Sequence, residues 1–181
     1  MGAPFLYPFH SLAANADVEL RIGAETVCFT CLDRTLTWKT HPTGQLFTDL
    51  LFPIPYLESL ELGPYIKLAG LEDVLQAAGG IAVGVSFSRW EALVNGGLAY
   101  SGRRIGVIRG ADGEVHPGQS QGTYDLGVSL RFFFSETKKR WYGSLQYTHN
   151  SNGEQLGLNW LSDKKANPGI DALTVGVGYR Y

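Results

Sequence analysis

Three side chains near the end of the chain have the types and spacing for acyl-transfer chemistry. His149 and Ser151 lie in the run Tyr-Thr-His-Asn-Ser-Asn (147–152), and Asp171 closes Asn-Pro-Gly-Ile-Asp (167–171). A serine hydroxyl is a weak nucleophile. It needs a base within hydrogen-bond reach, and the base needs a third group to fix its tautomer and stabilise its charged form. His149 fits the base, Ser151 the nucleophile and Asp171 the orienting acid. Glu154 and Asp163 are alternative acids if the intervening loop folds back. A tetrahedral intermediate also needs donors for its oxyanion. Asn152, by side chain or backbone N–H, is the first candidate, ahead of Asn167 and the Gly169 backbone. The competing account is structural: Asn-Pro-Gly makes a good turn, Ser151 and Asn152 are turn formers, and His149 sits beside Tyr147 as in an aromatic girdle.

The elements that must position these residues are strands. In 172–181, Leu173, Val175, Val177, Tyr179 and Tyr181 share one parity, against Thr174, Gly176, Gly178 and Arg180. In 123–134, Tyr124, Leu126, Val128, Leu130, Phe132 and Phe134 oppose Thr123, Asp125, Gly127, Ser129 and Arg131. In 140–149, Trp141, Leu145 and Tyr147 oppose Ser144, Gln146 and Thr148. A period of two is the strand signal. Small and polar residues on the second face suit the narrow interior of a small barrel. Parity then puts His149, Ser151 and Asp171 on the apolar face, where a polar group is costly unless satisfied or functional.

Further strands are expected at 17–32, 35–40, 62–70, 79–88, 91–101 and 103–109, giving eight or nine in all. Residues 71–78 read as a short helical turn. Residues 46–60 are apolar and carry Pro53 and Pro55, which fit a central strand poorly, so a loop or external flap is expected there. We therefore expect an all-β fold, a small antiparallel up-and-down β-barrel of about eight strands of the outer-membrane type, as a single domain over 1–181. Residues 1–16 are expected to be an N-terminal extension or the remnant of a targeting segment. Ala14-Asn15-Ala16 has the small-x-small form of a cleavage site, but no basic segment precedes it and no convincing signal peptide is visible. Residues 135–138 read as a short turn, whereas 110–122 and 150–169 are long connections. Outer-membrane barrels have short periplasmic turns and long external loops, which puts His149 and Asp171 at the outer end of neighbouring strands.

Composition narrows the classes. The formal net charge of −2 gives no case for nucleic acid. Mean hydropathy is near zero. No apolar run approaches the roughly 18–20 residues of a spanning helix. Cys28 and Cys31 form one CxxC without further soft ligands, and residues three apart on a strand point to opposite faces. We read them as ordinary thiols, with no metal site.

The segment His149-x-Ser151-Asn152, followed by Asn167-x-Gly169-x-Asp171 and a terminal strand ending in aromatics, resembles the outer-membrane lipid A 3-O-deacylases, the PagL family. The resemblance covers roughly residues 120–181. It implies an eight-stranded barrel with a His-Ser-acid triad on its lipid-facing surface and an ester-linked acyl chain of lipid A, or lipopolysaccharide, as substrate. It implies His149 as base, Ser151 as nucleophile, Asp171 as acid and Asn152 as oxyanion support, with no cofactor. The family acid is usually glutamate, and Asp171 is one methylene shorter. Lys164 and Lys165, in the proposed external loop, could meet lipid A phosphates or simply be solvated. The rival expectation is a non-catalytic barrel, built on a deacylase-like scaffold, that serves as an envelope anchor, a homo-oligomer or a subunit of a larger assembly. A soluble β-sandwich packing its apolar face on a partner is the third.

Overall fold

Backbone N–H and C=O groups have no water to turn to inside a bilayer, so a spanning sheet must close on itself. In the computed structural model this is what the chain does. The structure describes residues 14–28, 38–71, 74–109, 115–151 and 169–181. They form β1 (Asn15–Cys28), β2 (Trp38–Ile54), β3 (Leu57–Leu71), β4 (Val74–Phe87), β5 (Trp90–Arg109), β6 (Val115–Phe133), β7 (Trp141–Ser151) and β8 (Gly169–Arg180). The eight strands pair in chain order as one closed antiparallel barrel. Closure runs from Asp17↔Arg180 to Cys28↔Gly169, and Tyr181 N–H donates to the Ala16 carbonyl at 2.9 Å.

The barrel is inside-out relative to a water-soluble protein. Leu20, Ile22, Ile66, Ile81, Val94, Val128, Leu145, Val175 and Val177 are exposed on its outer wall. Asp17, Glu19, Arg21, Asp49, Lys67, Glu91, Asp125 and Arg131 are buried inside. An exposed apolar wall over a polar interior is the signature of a lipid-facing barrel. Aromatic residues gather at the short-turn end, where Trp141, Tyr179 and Tyr181 form an edge-to-face ladder and Phe132 packs tilted on Trp90 and edge-on to Phe134. Such a girdle marks a membrane–water interface.

One layer of the interior is ionic. Arg131 donates to Asp17, Glu91 and Asp49 at 3.1, 2.9 and 2.6 Å, and Arg180 donates to Asp17 and Glu91, each at 2.7 Å. Arg21 forks onto both oxygens of Glu19 and stacks over Phe47. These groups belong to β1, β2, β5, β6 and β8, so the layer ties five strands across the lumen. Above it Lys67 and Tyr65 both donate to Asp125. Inward glycines make room: a Cβ added at Gly178 would run into the Tyr142 ring.

The sequence expectation for 46–60 is corrected by the structure. Those residues are the second half of β2, the Pro55-Tyr56 turn and the start of β3. Leu46, Leu50 and Phe52 face out, but the inward Phe47 and Leu51 are apolar too, in a buried cluster with Tyr65, Ala82 and Leu93. With both faces apolar, the alternation is invisible in the sequence. The prolines are accommodated at the strand end: the register shifts at Pro53, Pro55 occupies the turn, and Tyr56 takes φ 69°.

The helical turn expected at 71–78 is also replaced. Residues 72–73 lie outside the described residues, and β4 starts at Val74, paired with Leu71. Helix-favouring composition is overridden by sheet pairing. The strands expected at 91–101 and 103–109 are one strand, β5, with register shifts between Tyr100 and Val107. Residues 115–122 of the connection expected at 110–122 belong to β6. β1 begins at Asn15, so the boundary expected after residue 16 falls inside a strand, while residues 1–13 lie outside the described residues. Cys28 closes β1, and Cys31 lies outside the described residues.

Candidate active site

β7 and β8 set the geometry by register. His149 and Asp171 are direct cross-strand partners, with Tyr147↔Leu173 two residues closer to the girdle. Along β7 the odd positions face outward: Trp141, Leu145 and Tyr147 are exposed, and Tyr142, Gln146, Thr148 and Asn150 are buried within. His149 and Ser151 continue the outward parity, and Asp171 leads the outward row of Leu173, Val175 and Val177.

His149 Nδ1 lies 2.8 Å from Asp171 Oδ1, with the two side chains 37% and 26% exposed. At that degree of exposure the pair remains accessible from outside. With Asp171 ionised, the contact favours the tautomer that carries its proton on Nδ1 and leaves Nε2 a lone pair. Tyr147 Oη donates to the same Asp171 Oδ1 at 2.5 Å. Among the outward-facing strand side chains described, Asp171 is the only carboxylate and His149 the only imidazole.

Ser151 is half-buried at the last position of β7, opposite Tyr124 of β6. It lies on the outward face two residues beyond His149, and no hydrogen bond joins the two among the described residues. The structure therefore brings His149 and Asp171 together, and places Ser151 on the same face without closing a Ser151–His149 contact. Catalytic hydrogen bonds often tighten only when substrate is bound.

Height on the barrel follows from strand geometry. Trp141, in the girdle, and His149 are eight residues apart on β7. At ~3.3 Å per residue and ~40° tilt that is about 20 Å, close to the ~25 Å of an apolar band. The His149–Asp171 pair thus sits at the far membrane interface, on the side of the 152–168 connection.

The remaining candidates are placed less closely. Gly169 opens β8, where its backbone pairs with Cys28 of β1, and the ladder to β7 starts one residue later at Asn150↔Ile170. Asn152, Asn167, Lys164 and Lys165 lie outside the described residues, as do the alternative acids Glu154 and Asp163. Two features escaped the sequence. Tyr147 was legible only as a member of the outward row, although its diagonal relation to Asp171 follows once the register is known. The ionic layer hid at inward positions scattered over five strands.

Among solved structures the chain is similar to Neisserial surface protein A, with TM-score 0.53 and 12% identity over 92% of this chain and 97% of that one. The fold is that of an outer-membrane β-barrel. It is likewise similar to Ail, the attachment invasion locus protein of Yersinia pestis, solved in complex with the heparin analogue sucrose octasulfate. There the TM-score is 0.50 and the identity 8%, over 93% of this chain and 99% of that one. Neither a protein-family model nor a curated protein sequence matches the chain. At these identities the likeness carries the architecture alone.

Proposed function

We propose that this chain is a bacterial outer-membrane esterase that releases an ester-linked acyl chain from lipid A or a related outer-leaflet lipid. The observation that carries this reading is the His149–Asp171 pair, bonded at 2.8 Å on an otherwise apolar, lipid-facing wall. On a barrel's lipid face an Arg or Lys costs ~2–4 kcal/mol at the midplane, and a carboxylate or an interfacial position costs less, so a charged group there calls for a partner or a task. An interfacial height suits esters of membrane lipids, whose carbonyls lie where the acyl chains meet the headgroups.

In the reaction, His149 Nε2 takes the Ser151 hydroxyl proton as Oγ attacks the acyl carbonyl. Asp171 holds Nδ1–H and stabilises the imidazolium. The tetrahedral oxyanion is met by Asn152, with Asn167 and the Gly169 backbone as further donors. Collapse expels the sugar or glycerol alkoxide, which takes the proton from His149, and water then releases the acyl group from Ser151. Lys164 and Lys165 are the cations this reading offers to headgroup phosphates. The resemblance of residues 120–181 to the lipid A 3-O-deacylases supports the substrate class.

A second reading is a non-catalytic envelope or interaction barrel. The likeness to barrels such as Neisserial surface protein A supports an envelope barrel of either kind, and the open Ser151–His149 contact favours the non-catalytic one. Fatty-acid release from purified lipopolysaccharide separates the two. The esterase releases acyl chain, and Ser151→Ala and His149→Ala each stop it in a barrel that still shows heat-modifiable gel migration. No release by the unmodified protein overturns the esterase reading.

A further inference from the structure

The triad as drawn leaves one contact unused, the phenol of Tyr147. Tyr147 lies two residues before His149 on the outward face of β7, and its cross-strand partner Leu173 lies two residues after Asp171 on β8. Diagonal neighbours on one face of an antiparallel pair are within reach of an aromatic side chain. Here the reach is completed: Tyr147 Oη is 2.5 Å from Asp171 Oδ1, the oxygen that also meets His149 Nδ1 at 2.8 Å. Two donors on different side chains converge on one carboxylate oxygen.

The arrangement answers a mechanical problem. Asp171 reaches across the strand pair with a short side chain and is partly exposed, so rotation of its carboxylate would release His149 to either tautomer. A second, charge-assisted donor two residues away holds the carboxylate in the orientation that receives Nδ1–H. A tyrosine serving only as an interfacial anchor would turn its hydroxyl toward water and headgroups. This one spends its hydrogen bond on the acid.

We propose that Tyr147 is a positioning residue that clamps Asp171 and, through it, fixes the tautomer of His149; its kinetic consequence rests on the triad reading above. Tyr147→Phe keeps the ring and removes the hydroxyl. Acyl release by this variant is expected to fall roughly tenfold in kcat with KM unchanged. In an Asp171→Ala background the same substitution is expected to add no further loss, because the clamp has nothing left to hold. A second readout needs no turnover: ring-nitrogen NMR of His149 in detergent micelles should show one tautomer, protonated at Nδ1, and Tyr147→Phe should convert it to a mixture. If the unmodified protein releases no fatty acid, the triad reading fails and the NMR comparison decides the clamp by itself. Unchanged kcat together with an unchanged imidazole spectrum overturns the proposal, as does a rise in KM at constant kcat, which would place the phenol against substrate instead.

Discussion

Carboxylates meet basic side chains in two regions of this barrel, and the two are built differently. Inside, Arg131 is shared among Asp17, Asp49 and Glu91, and Arg180 between Asp17 and Glu91, all shielded from solvent. Outside, Asp171 faces His149 with 26% of the Asp171 side chain and 37% of the His149 side chain open. The interior layer joins five strands and sets each of its carboxylates against a guanidinium group, which carries a fixed positive charge. The exterior pair joins two neighbouring strands through an imidazole, whose two ring nitrogens can serve as donor and acceptor. Ionic contacts tie the barrel together in one place and, on the esterase reading proposed above, are left available for reaction in the other.

The contrast can be broken from either side, and the largest effect is expected at the exterior. Ser151→Ala should cost on the order of 10³-fold or more in acyl release. Urea unfolding in lipid vesicles should leave its stability within about 0.5 kcal/mol, since the hydroxyl makes no hydrogen bond among the described residues. Asp171→Asn should follow at about 10²–10⁴-fold, because an amide cannot stabilise the imidazolium. Loss of the barrel in that variant, seen as vanished heat-modifiable migration, would recast the pair as structural.

The interior predicts the opposite pattern. Arg131→Ala leaves Asp17, Asp49, Glu19 and Glu91 without their shared cation and should cost ~3–5 kcal/mol in unfolding free energy. Rate per folded molecule should stay within about twofold of the unmodified protein, since additivity holds for sites without shared partners. A selective loss of turnover would couple the two regions. The smallest effect is expected at Gly178→Ala, whose added methyl meets the Tyr142 ring and should cost about 1–3 kcal/mol in the same assay.

The sequence was most legible where one face is apolar and the other polar. β6, β7 and β8 alternate cleanly, and from them the barrel class and the outward direction of His149, Ser151 and Asp171 could be read. It was least legible where the lumen turns apolar. Phe47 and Leu51 fill the interior beside Tyr65 and Leu93, and so β2 lost its period of two and read as a flap. The His149–Asp171 pairing depended on register, which a long connection leaves free and only the closed ladder fixes. Tyr147 needed the same register. The ionic layer was illegible for a simpler reason: Asp17, Asp49, Glu91, Arg131 and Arg180 are far apart in sequence and meet only when the barrel closes.

On the esterase reading, His149 and Asp171 activate Ser151 on the outer wall. Reaction of the folded barrel in micelles with an alkyl fluorophosphonate tests it most directly, since attack by an activated serine oxygen on phosphorus expels fluoride and leaves a stable adduct. The predicted result by intact mass and peptide mapping is a single adduct on Ser151, absent in His149→Ala. An unmodified Ser151 in the folded barrel, or equal labelling with and without His149, would contradict it.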